Sequence, residues 1–432
     1  MNIHFIGIGG IGVSALAQYY LSFGHKVSGS DLVSSEITES LKEKGVKVFI
    51  SQQKFGGFED IDLVVYSPAV KEDNLELKEA KNLRIKCQSY PEALGELTKK
   101  YFTIAVSGTH GKSTTTSMIG ILLEKAGFDP TVILGTKLKE FGNSNCRVGK
   151  SKYLIIEADE HFASFLNYWP KIIILTNIEK DHLDYYKSLE NILGSFKKYI
   201  EKLPEEGILI ANADDENILN ILKSKPKLNN VKFYSLKQEE VKNLKLKVPG
   251  DHNKLNALAV LSLGRVLGID DEKIFLALSE YKGSWRRFEE QEVGGLKIIS
   301  DYAHHPTEVR ATLKAAREKW PKKEIWCVFQ PHQYQRTYYL FDDFVKVLKS
   351  HPISKVIVTD IYDVPGRESE KISSKVSSKE LVKAADNQKV IYLKKEEVIP
   401  CIKKEMKKDG VVIIMGAGDI YKLVQDFSVD NS

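Results

Sequence analysis

The feature that most restricts how this chain can fold is one local pattern that occurs three times: an apolar strand, a glycine-rich turn and a helix. It begins with "IHFIGIGGIG", returns at "YFTIAVSGTHGKSTTT" and starts again after "GSWRRFE". Strands that alternate with helices are typical of parallel sheets, because each parallel neighbour needs a long crossover connection. The sequence therefore predicts an α/β protein with three domains.

The length of 432 residues agrees with this count, since domains usually have about 100–200 residues. We place the boundaries near residues 98 and 288. The predicted domains are a Rossmann-like N-terminal domain, a central P-loop ATPase-like domain with a parallel sheet, and a Rossmann-like C-terminal domain, at residues 1–98, 99–288 and 289–432.

Composition excludes several classes of protein. Lys and Arg total 63 against 58 Asp and Glu, a net charge of +5 that is too small to indicate a nucleic-acid partner. The four cysteines form no CxxC pair, which argues against zinc or a disulfide framework and fits a reducing compartment. No apolar run approaches the roughly 20 residues that span a bilayer, and no secretory leader opens the chain. We expect a soluble, cytoplasmic protein with no membrane partner.

The first glycine turn, "GIGGIG" at residues 7–12, follows a strand and opens a helix. Gly9, Gly10 and Gly12 would let the backbone approach a diphosphate at the helix N-terminus. Asp31 ends the next strand, where an acid can bind a ribose or a base. The turn is open to three interpretations: a dinucleotide site, a nucleotide-sugar site, or glycines retained for packing alone.

The second glycine turn, "VSGTHGKSTTT", departs from a Walker A loop because Val106 stands where a glycine is due. Its strand–turn–helix context nevertheless suits a phosphate loop. Lys112 would neutralise the β- and γ-phosphates, and the Ser113 hydroxyl would bind Mg²⁺. The predicted cofactor-binding residues of this loop are Gly108, Thr109, His110, Gly111, Lys112, Ser113 and Thr114.

Acidic and basic side chains follow later strands, at the sheet edge where α/β proteins bind ligands. The acidic and His side chains of "LIIEADE" and "LTNIEKDHLD" are candidate Mg²⁺ ligands: Glu157, Asp159, Glu160, Asp181, His182 and Asp184. Arg287 of "SWRRFE" is placed to stabilise a transferring phosphoryl group. Further candidates in "GDHNKLNALA", "DYAHHPTEV" and "FQPHQYQRT" are Asn253, Asn256, Asp301, Tyr302, His304, His332 and Arg336.

Taken in order, these motifs resemble the Mur ligase family over essentially the whole chain. "GTHGK" with its Ser/Thr run resembles the family's ATP signature, and "DYAHHPTEV" and "FQPH" resemble the branch that uses L-alanine. The resemblance implies an ATP- and Mg²⁺-dependent ligase that joins L-alanine to UDP-N-acetylmuramate through an acyl phosphate. It leaves the oligomeric state open.

The resemblance also implies roles for individual residues. Lys112, Glu157, His182 and Arg287 would be catalytic; Ser113 would bind one Mg²⁺, and Glu157 and His182 would hold a second. Asn253, Asn256, Arg287 and Asp301 would join the phosphate loop in binding ATP. The substrates would be bound by Gly9, Gly10, Gly12 and Asp31 on the UDP-sugar and by Tyr302, His304, His332 and Arg336 on the amino acid.

Besides a mild change at "DYA", the chain departs from the family pattern at three places. His161 follows "EADE" where a Ser is common, Gln333 follows "FQPH" where an Arg is common, and Tyr90 replaces a basic residue. Because of Gln333, the sequence does not decide whether the amino-acid substrate is alanine, serine or glycine. Lys197 and Lys198 lie in the helix that carries a carbamylated lysine in some relatives, and neither aligns clearly.

Three other functions compete with this one. A ligase that recycles muropeptides by joining a tripeptide to UDP-N-acetylmuramate shares most of the motifs. An NAD(P)-dependent dehydrogenase would explain the first glycine turn only, and a non-catalytic P-loop switch would not need the His and Arg motifs of the third domain.

Overall fold

The computed structural model describes residues 1–50, 57–223, 228–364 and 370–427. In these ranges the chain forms a five-stranded, a seven-stranded and a six-stranded sheet, each accompanied by helices. The chain divides into two compact units. The first contains the five- and seven-stranded sheets and comprises Met1–Glu179, Glu190–Leu244 and Leu255–Ser279; the second contains the six-stranded sheet and comprises Lys180–Leu189, Lys245–Lys254 and Glu280–Ser432.

The N-terminal sheet is fully parallel, with strand β1 in the centre. Its elements are β1 Asn2–Ile6, α1 Ile11–Ser22, β2 Lys26–Asp31, α2 Glu36–Glu43, β3 Lys47–Ile50, β4 Leu63–Tyr66, α3 Leu75–Asn82, β5 Lys86–Ser89 and α4 Tyr90–Thr98. The strand order is β3-β2-β1-β4-β5. Strands β2 and β3 are added on one side of β1, and β4 and β5 on the other. The glycine turn after β1 therefore lies at the switch point where such sheets bind ligands.

The central sheet has seven strands in the order β12-β11-β10-β6-β9-β7-β8. Along this part of the chain the elements are β6 Phe102–Ser107, α5 Lys112–Lys125, β7 Thr131–Leu138, β8 Ser144–Arg147, β9 Tyr153–Ala158, β10 Ile172–Leu175, α6 Leu183–Tyr186, α7 Leu189–Ile200, β11 Ile208–Asn212, α8 Glu216–Lys223, β12 Asn230–Tyr234, α9 Asp251–Val266 and α10 Asp271–Glu280, of which α6 belongs to the second compact unit. Strands β9 and β10 flank β6 in parallel register, which brings the ends of all three to one edge. The antiparallel β7–β8 hairpin was not expected from the sequence.

The C-terminal sheet has the order β13-β14-β18-β15-β16-β17. Its elements are β13 Glu289–Val293, β14 Leu296–Asp301, α11 Pro306–Lys319, β15 Ile325–Phe329, α12 Tyr334–Tyr339, α13 Phe341–Lys349, β16 Lys355–Val358, α14 Glu370–Ser373, α15 Ser378–Ala385, β17 Val390–Tyr392, α16 Lys395–Glu405, β18 Val411–Met415 and α17 Leu423–Asp426. Only β13 pairs antiparallel among the strands described here. Strand β13 was not predicted from the sequence, because a charged strand at the sheet edge lacks the apolar run that identifies a buried strand.

Apolar cores form on the faces of these sheets. Strands β6, β10 and β18 are almost completely buried, as their largely apolar sequences predict for strands covered on both faces. Within the described residues, no helix combines the length and apolar character needed to cross a membrane.

Candidate active site

The second glycine turn forms a tight loop between β6 and α5, and Val106 lies fully buried inside β6. Gly108 and Gly111 have φ angles of +131° and +84°, which a residue with a side chain adopts only at a cost. A Cβ atom on Gly111 would lie 2.5 Å from Oδ1 of Asn256, and one on Gly108 would collide with the hydroxyl of Thr176. The loop therefore needs both glycines.

Residues after β10 hold this loop in place. The backbone N–H of His110 donates to Oδ1 of Asn177 at 2.8 Å, and that of Thr109 donates to the Asn177 carbonyl at 2.9 Å. The Thr176 hydroxyl donates to the carbonyl of His110 at 2.7 Å. Sequence reasoning missed Thr176 and Asn177, although their position after β10 and beside the loop strand was a signal.

Lys112 begins α5 and points back into the loop. Its Nζ donates to the carbonyl of Gly108 at 2.6 Å and to the carboxylate of Glu160 at 2.7 Å. Burial disfavours the charged ammonium, but Glu160, Asp159 and Glu157 outweigh burial and raise the pKa of Lys112. A permanently charged ammonium is thus held where β- and γ-phosphates are predicted to lie.

Ser113 and Glu157 contact each other beside Lys112, although the sequence assigned them to two different Mg²⁺ ions. The Ser113 hydroxyl donates to Oε2 of Glu157 at 2.8 Å, and the backbone N–H of Gly135 donates to Oε1 at 2.5 Å. A hydroxyl and a carboxylate are hard oxygen ligands, so this pair fits Mg²⁺. His182 belongs to the second compact unit, so its sharing of a metal with Glu157 stays a prediction.

The first glycine turn is shaped by Asp31. Its Oδ2 accepts from the N–H of Gly9 at 2.8 Å, and its Oδ1 accepts from the N–H of Leu32 at 2.8 Å. The carboxylate thus anchors the turn through the backbone, in addition to any role toward a ribose. Helix α1 begins after Gly10 without a side-chain cap or an acidic residue in its first turn, which leaves its N-terminus suited to an anion.

The glycines of this turn also make close packing contacts. A Cβ atom on Gly9 would lie 2.9 Å from Oδ2 of Asp31, and one on Gly12 would lie 2.8 Å from Cζ of Tyr90. Packing therefore accounts for two of the three predicted glycines without excluding a diphosphate.

The second compact unit brings together four predicted residues: Tyr302, His304, His332 and Arg336. The rings of His304 and Tyr302 have centroids 5.3 Å apart, and those of His304 and His332 are 5.8 Å apart. Arg336 Nη1 lies 3.4 Å from Nδ1 of His332. The structure thus assembles the residues predicted to bind the amino acid.

Asp181 holds Arg336 in this cluster. Nε and Nη2 of Arg336 donate to the two carboxylate oxygens of Asp181 at 3.1 and 3.3 Å, and both residues are buried. Burial raises the pKa of Asp181, but the Arg336 guanidinium, with a smaller contribution from His182, outweighs burial and holds this pKa well below its usual range. The sequence suggested Asp181 as a candidate Mg²⁺ ligand, whereas in the structure its two carboxylate oxygens are hydrogen-bonded to Arg336.

The hydrogen bonds of His304 and His332 indicate which ring nitrogen of each imidazole carries the proton. Nδ1 of His304 faces the carbonyl of Tyr302 at 2.9 Å and the carboxylate of Glu308 at 3.3 Å, so it carries the proton. Nδ1 of His332 accepts from Arg336, since guanidinium has no acceptor. Burial lowers the pKa of His304 to about 4, and nearby Arg336 acts in the same direction.

The two adjacent arginines have different environments. Arg286 is buried and donates to the carbonyls of Gly416 and Gly418, so it fixes the loop after β18. Arg287, the predicted catalytic residue, is partly exposed, with its guanidinium 4.9 Å from the Tyr302 ring centroid. The structural role of Arg286 was not predicted.

The remaining predicted ATP-binding residues lie in both units. Asn256 lies beside Gly111 in the first unit, whereas Asn253 belongs to the second and donates to the carbonyl of Pro249 at 2.7 Å. Asp301 accepts from the backbone N–H groups of Phe288 at 2.8 Å and Ala303 at 2.9 Å. Burial raises the pKa of Asp301.

Residues that depart from the family pattern have defined positions. The ring of His161 stacks on Phe162, with centroids 4.1 Å apart. Gln333 precedes α12 with a φ of +72°, and its Oε1 accepts from Nη1 of Arg336 at 3.2 Å. On α7, Lys197 is half-buried and Lys198 is exposed, and carbamylation of either stays open.

Comparison with known proteins identifies the family of the chain. Models described as the Mur ligase family catalytic domain, the Mur ligase middle domain and the Mur ligase glutamate ligase domain match residues 2–102, 106–264 and 286–418. A UDP-N-acetylmuramate–L-alanine ligase from Acetivibrio thermocellus is 42% identical, with 99% of this chain and 96% of the relative covered.

Solved structures give the same result. The crystal structure of UDP-N-acetylmuramate-alanine ligase MurC from Thermotoga maritima superposes with a TM-score of 0.81 at 30% identity, covering 99% of this chain and 98% of that one. A murein peptide ligase from Psychrobacter arcticus shares the fold, with a TM-score of 0.74 at 22% identity and coverage of 99% and 98%. From its three matched domains and its full-length relatives, the chain belongs to the Mur ligase family.

Proposed function

We propose that this protein joins L-alanine to the carboxylate of UDP-N-acetylmuramate with ATP, giving UDP-N-acetylmuramoyl-L-alanine, ADP and phosphate. The observation that carries the proposal is the 42% identity, over nearly the full length of both chains, to a relative named for this activity. Membership of the ligase family also removes the NAD(P)-dependent dehydrogenase as an alternative.

In the proposed reaction, a carboxylate oxygen of the muramate attacks the γ-phosphorus of ATP, and ADP leaves. The amine of L-alanine then attacks the acyl carbon, the C–N bond forms, and phosphate leaves from the tetrahedral intermediate. Lys112 stabilises phosphate charge at the N-terminus of α5, and Arg287 supplies further positive charge. Ser113, Glu157 and His182 would hold Mg²⁺, which neutralises phosphate charge when bound.

The amino acid is proposed to bind between His304, His332 and Arg336. Arg336 is oriented by Asp181 and would bind the α-carboxylate. His304 presents an unprotonated Nε2, because its proton is on Nδ1, and would accept from the α-amino group.

The test is release of phosphate by the purified protein with ATP, Mg²⁺, UDP-N-acetylmuramate and a panel of L-alanine, L-serine, glycine and a muropeptide-type tripeptide. We expect release only when UDP-N-acetylmuramate and an amino acid are both present, with the highest kcat/KM for L-alanine. Preference for the tripeptide would assign the protein to muropeptide recycling. Release without UDP-N-acetylmuramate would refute the ligase reaction.

A further inference from the structure

Tyr90 connects the first glycine turn with the acidic residues after β9. It is the first residue of α4, whose start is fixed by Ser89 and Glu92: the carboxylate of Glu92 accepts from both the backbone N–H and the hydroxyl of Ser89 at 2.7 Å. This cap fixes the direction in which the Tyr90 side chain leaves the helix.

The Tyr90 ring packs directly on the start of α1. A Cβ atom on Gly12 would lie 2.8 Å from Cζ and 2.9 Å from the hydroxyl oxygen of Tyr90. The phenol group can therefore occupy this position only because residue 12 is glycine. Its hydroxyl lies at the first turn of α1, where the diphosphate of the UDP-sugar is proposed to bind.

The chemical state of the hydroxyl is also defined. Burial, together with the carboxylates of Glu157 and Asp159, raises the pKa of Tyr90, so the phenol stays protonated at neutral pH. Within the described ranges, no protein group forms a hydrogen bond with this hydroxyl. It is a neutral donor whose hydrogen-bonding capacity the protein leaves unused.

We propose that the Tyr90 hydroxyl donates a hydrogen bond to a diphosphate oxygen of bound UDP-N-acetylmuramate and so positions this substrate. The inference rests on the proposed function, because it takes UDP-N-acetylmuramate as the ligand of the glycine turn. It goes beyond that function by assigning a substrate contact to a residue that departs from the family pattern. A neutral donor suits this place, since Lys112 already supplies the positive charge near Glu157.

The test is the Tyr90→Phe variant, which removes the hydroxyl and keeps the ring on Gly12. A hydrogen bond to a charged group contributes about 1.5–3 kcal/mol, so the KM for UDP-N-acetylmuramate should rise by about tenfold or more. The KM for ATP and kcat should change little, because the contact is present in ground state and transition state alike. Tyr101→Phe is the matched control: it removes a hydroxyl bonded to Tyr19, seven positions beyond Gly12 along α1, and should leave all three parameters unchanged.

Calorimetric binding of UDP separates this inference from the proposed function, because it needs no turnover. Tyr90→Phe should weaken UDP binding by the same factor as it raises KM. Unchanged UDP affinity in Tyr90→Phe would overturn the diphosphate contact, whether or not the KM for UDP-N-acetylmuramate rises. An unchanged KM for UDP-N-acetylmuramate would show that Tyr90 serves only in packing. If the wild-type protein binds UDP and lacks ligase activity, the proposed function fails while the Tyr90 contact stands on the binding result.

Discussion

At the scale of single residues, the charges of the candidate site are arranged in pairs. Lys112 pairs with Glu160, and Arg336 pairs with Asp181. Each cation is thus held in one orientation before any ligand arrives, which reduces the reorganisation needed for phosphate or carboxylate binding. The motifs predicted the two cations, but they did not predict their partners.

Replacing Lys112 by Ala should lower kcat by at least about a thousandfold, because the ammonium no longer stabilises the transferring phosphoryl group. Steady-state phosphate release measures this loss, and circular dichroism checks the fold. Glu160→Gln is the comparison: it removes the partner of Lys112 and keeps the ammonium, so activity should fall far less. Equal losses in the two variants would show that the pair, and not the lysine alone, matters for turnover.

The pKa of His304 predicts how stability depends on pH. The folded-state pKa of about 4 lies below the ordinary value of 6.5, so the unfolded chain binds more protons between these values. Stability should therefore fall as the pH is lowered through this window, by about 2 kcal/mol between pH 7 and pH 5. Chemical denaturation of the wild type and of His304→Gln measures the difference. The same pH dependence of the unfolding free energy in both proteins would contradict a lowered pKa of His304.

At the scale of elements, the phosphate loop depends on its neighbours as much as on its own sequence. The strand–turn–helix pattern around residues 102–125 was predicted from apolar runs and glycines, and the structure confirms it. Asn177 and Asn256 contact the loop only because β10 lies beside β6 and α9 approaches α5. Local periodicity carries no information on such neighbours, so these contacts were not predicted.

Gly111→Ala should weaken ATP binding by about tenfold or more, because the new methyl group meets Asn256 and shifts the loop. The left-handed φ adds roughly 1–2 kcal/mol of strain. Gly127→Ala is the matched control, since Gly127 has a φ of +81° with open space around its Cβ position. Gly127→Ala should lose only the stability that the left-handed φ costs, and only Gly111→Ala should lose ATP affinity by calorimetric titration. Unchanged ATP affinity in Gly111→Ala would show that the loop accommodates a methyl group at residue 111 without a shift.

At the scale of the whole molecule, the first two sheets belong to one compact unit. Asn145 of β8 contributes to this: its Nδ2 donates to the carbonyl of Ile11 at 2.6 Å and to the Ser14 hydroxyl at 2.8 Å. Its Oδ1 accepts from Gln18. The β7–β8 hairpin thus joins the central sheet to α1 through a buried amide.

Asn145→Ala should separate the unfolding of the two sheets of the first unit. The substitution leaves buried polar groups on α1 without their partner, at a cost of about 1–3 kcal/mol. Differential scanning calorimetry should show one transition for this unit in the wild type and two in the variant. Asn230→Ala, at an exposed position of β12, should behave as the wild type does. A single transition in Asn145→Ala would show that other contacts suffice.

By itself, the sequence determined the α/β class, the three strand–turn–helix units, the turn between β6 and α5, and the family, because these depend on residues close together in the chain. Only the tertiary structure decided which charges pair and which rings touch. Asp181 and Arg336 are 155 positions apart, and Tyr90 meets Gly12 from another helix. Such contacts depend on strand order and on how helices cover the sheets, which no local pattern encodes.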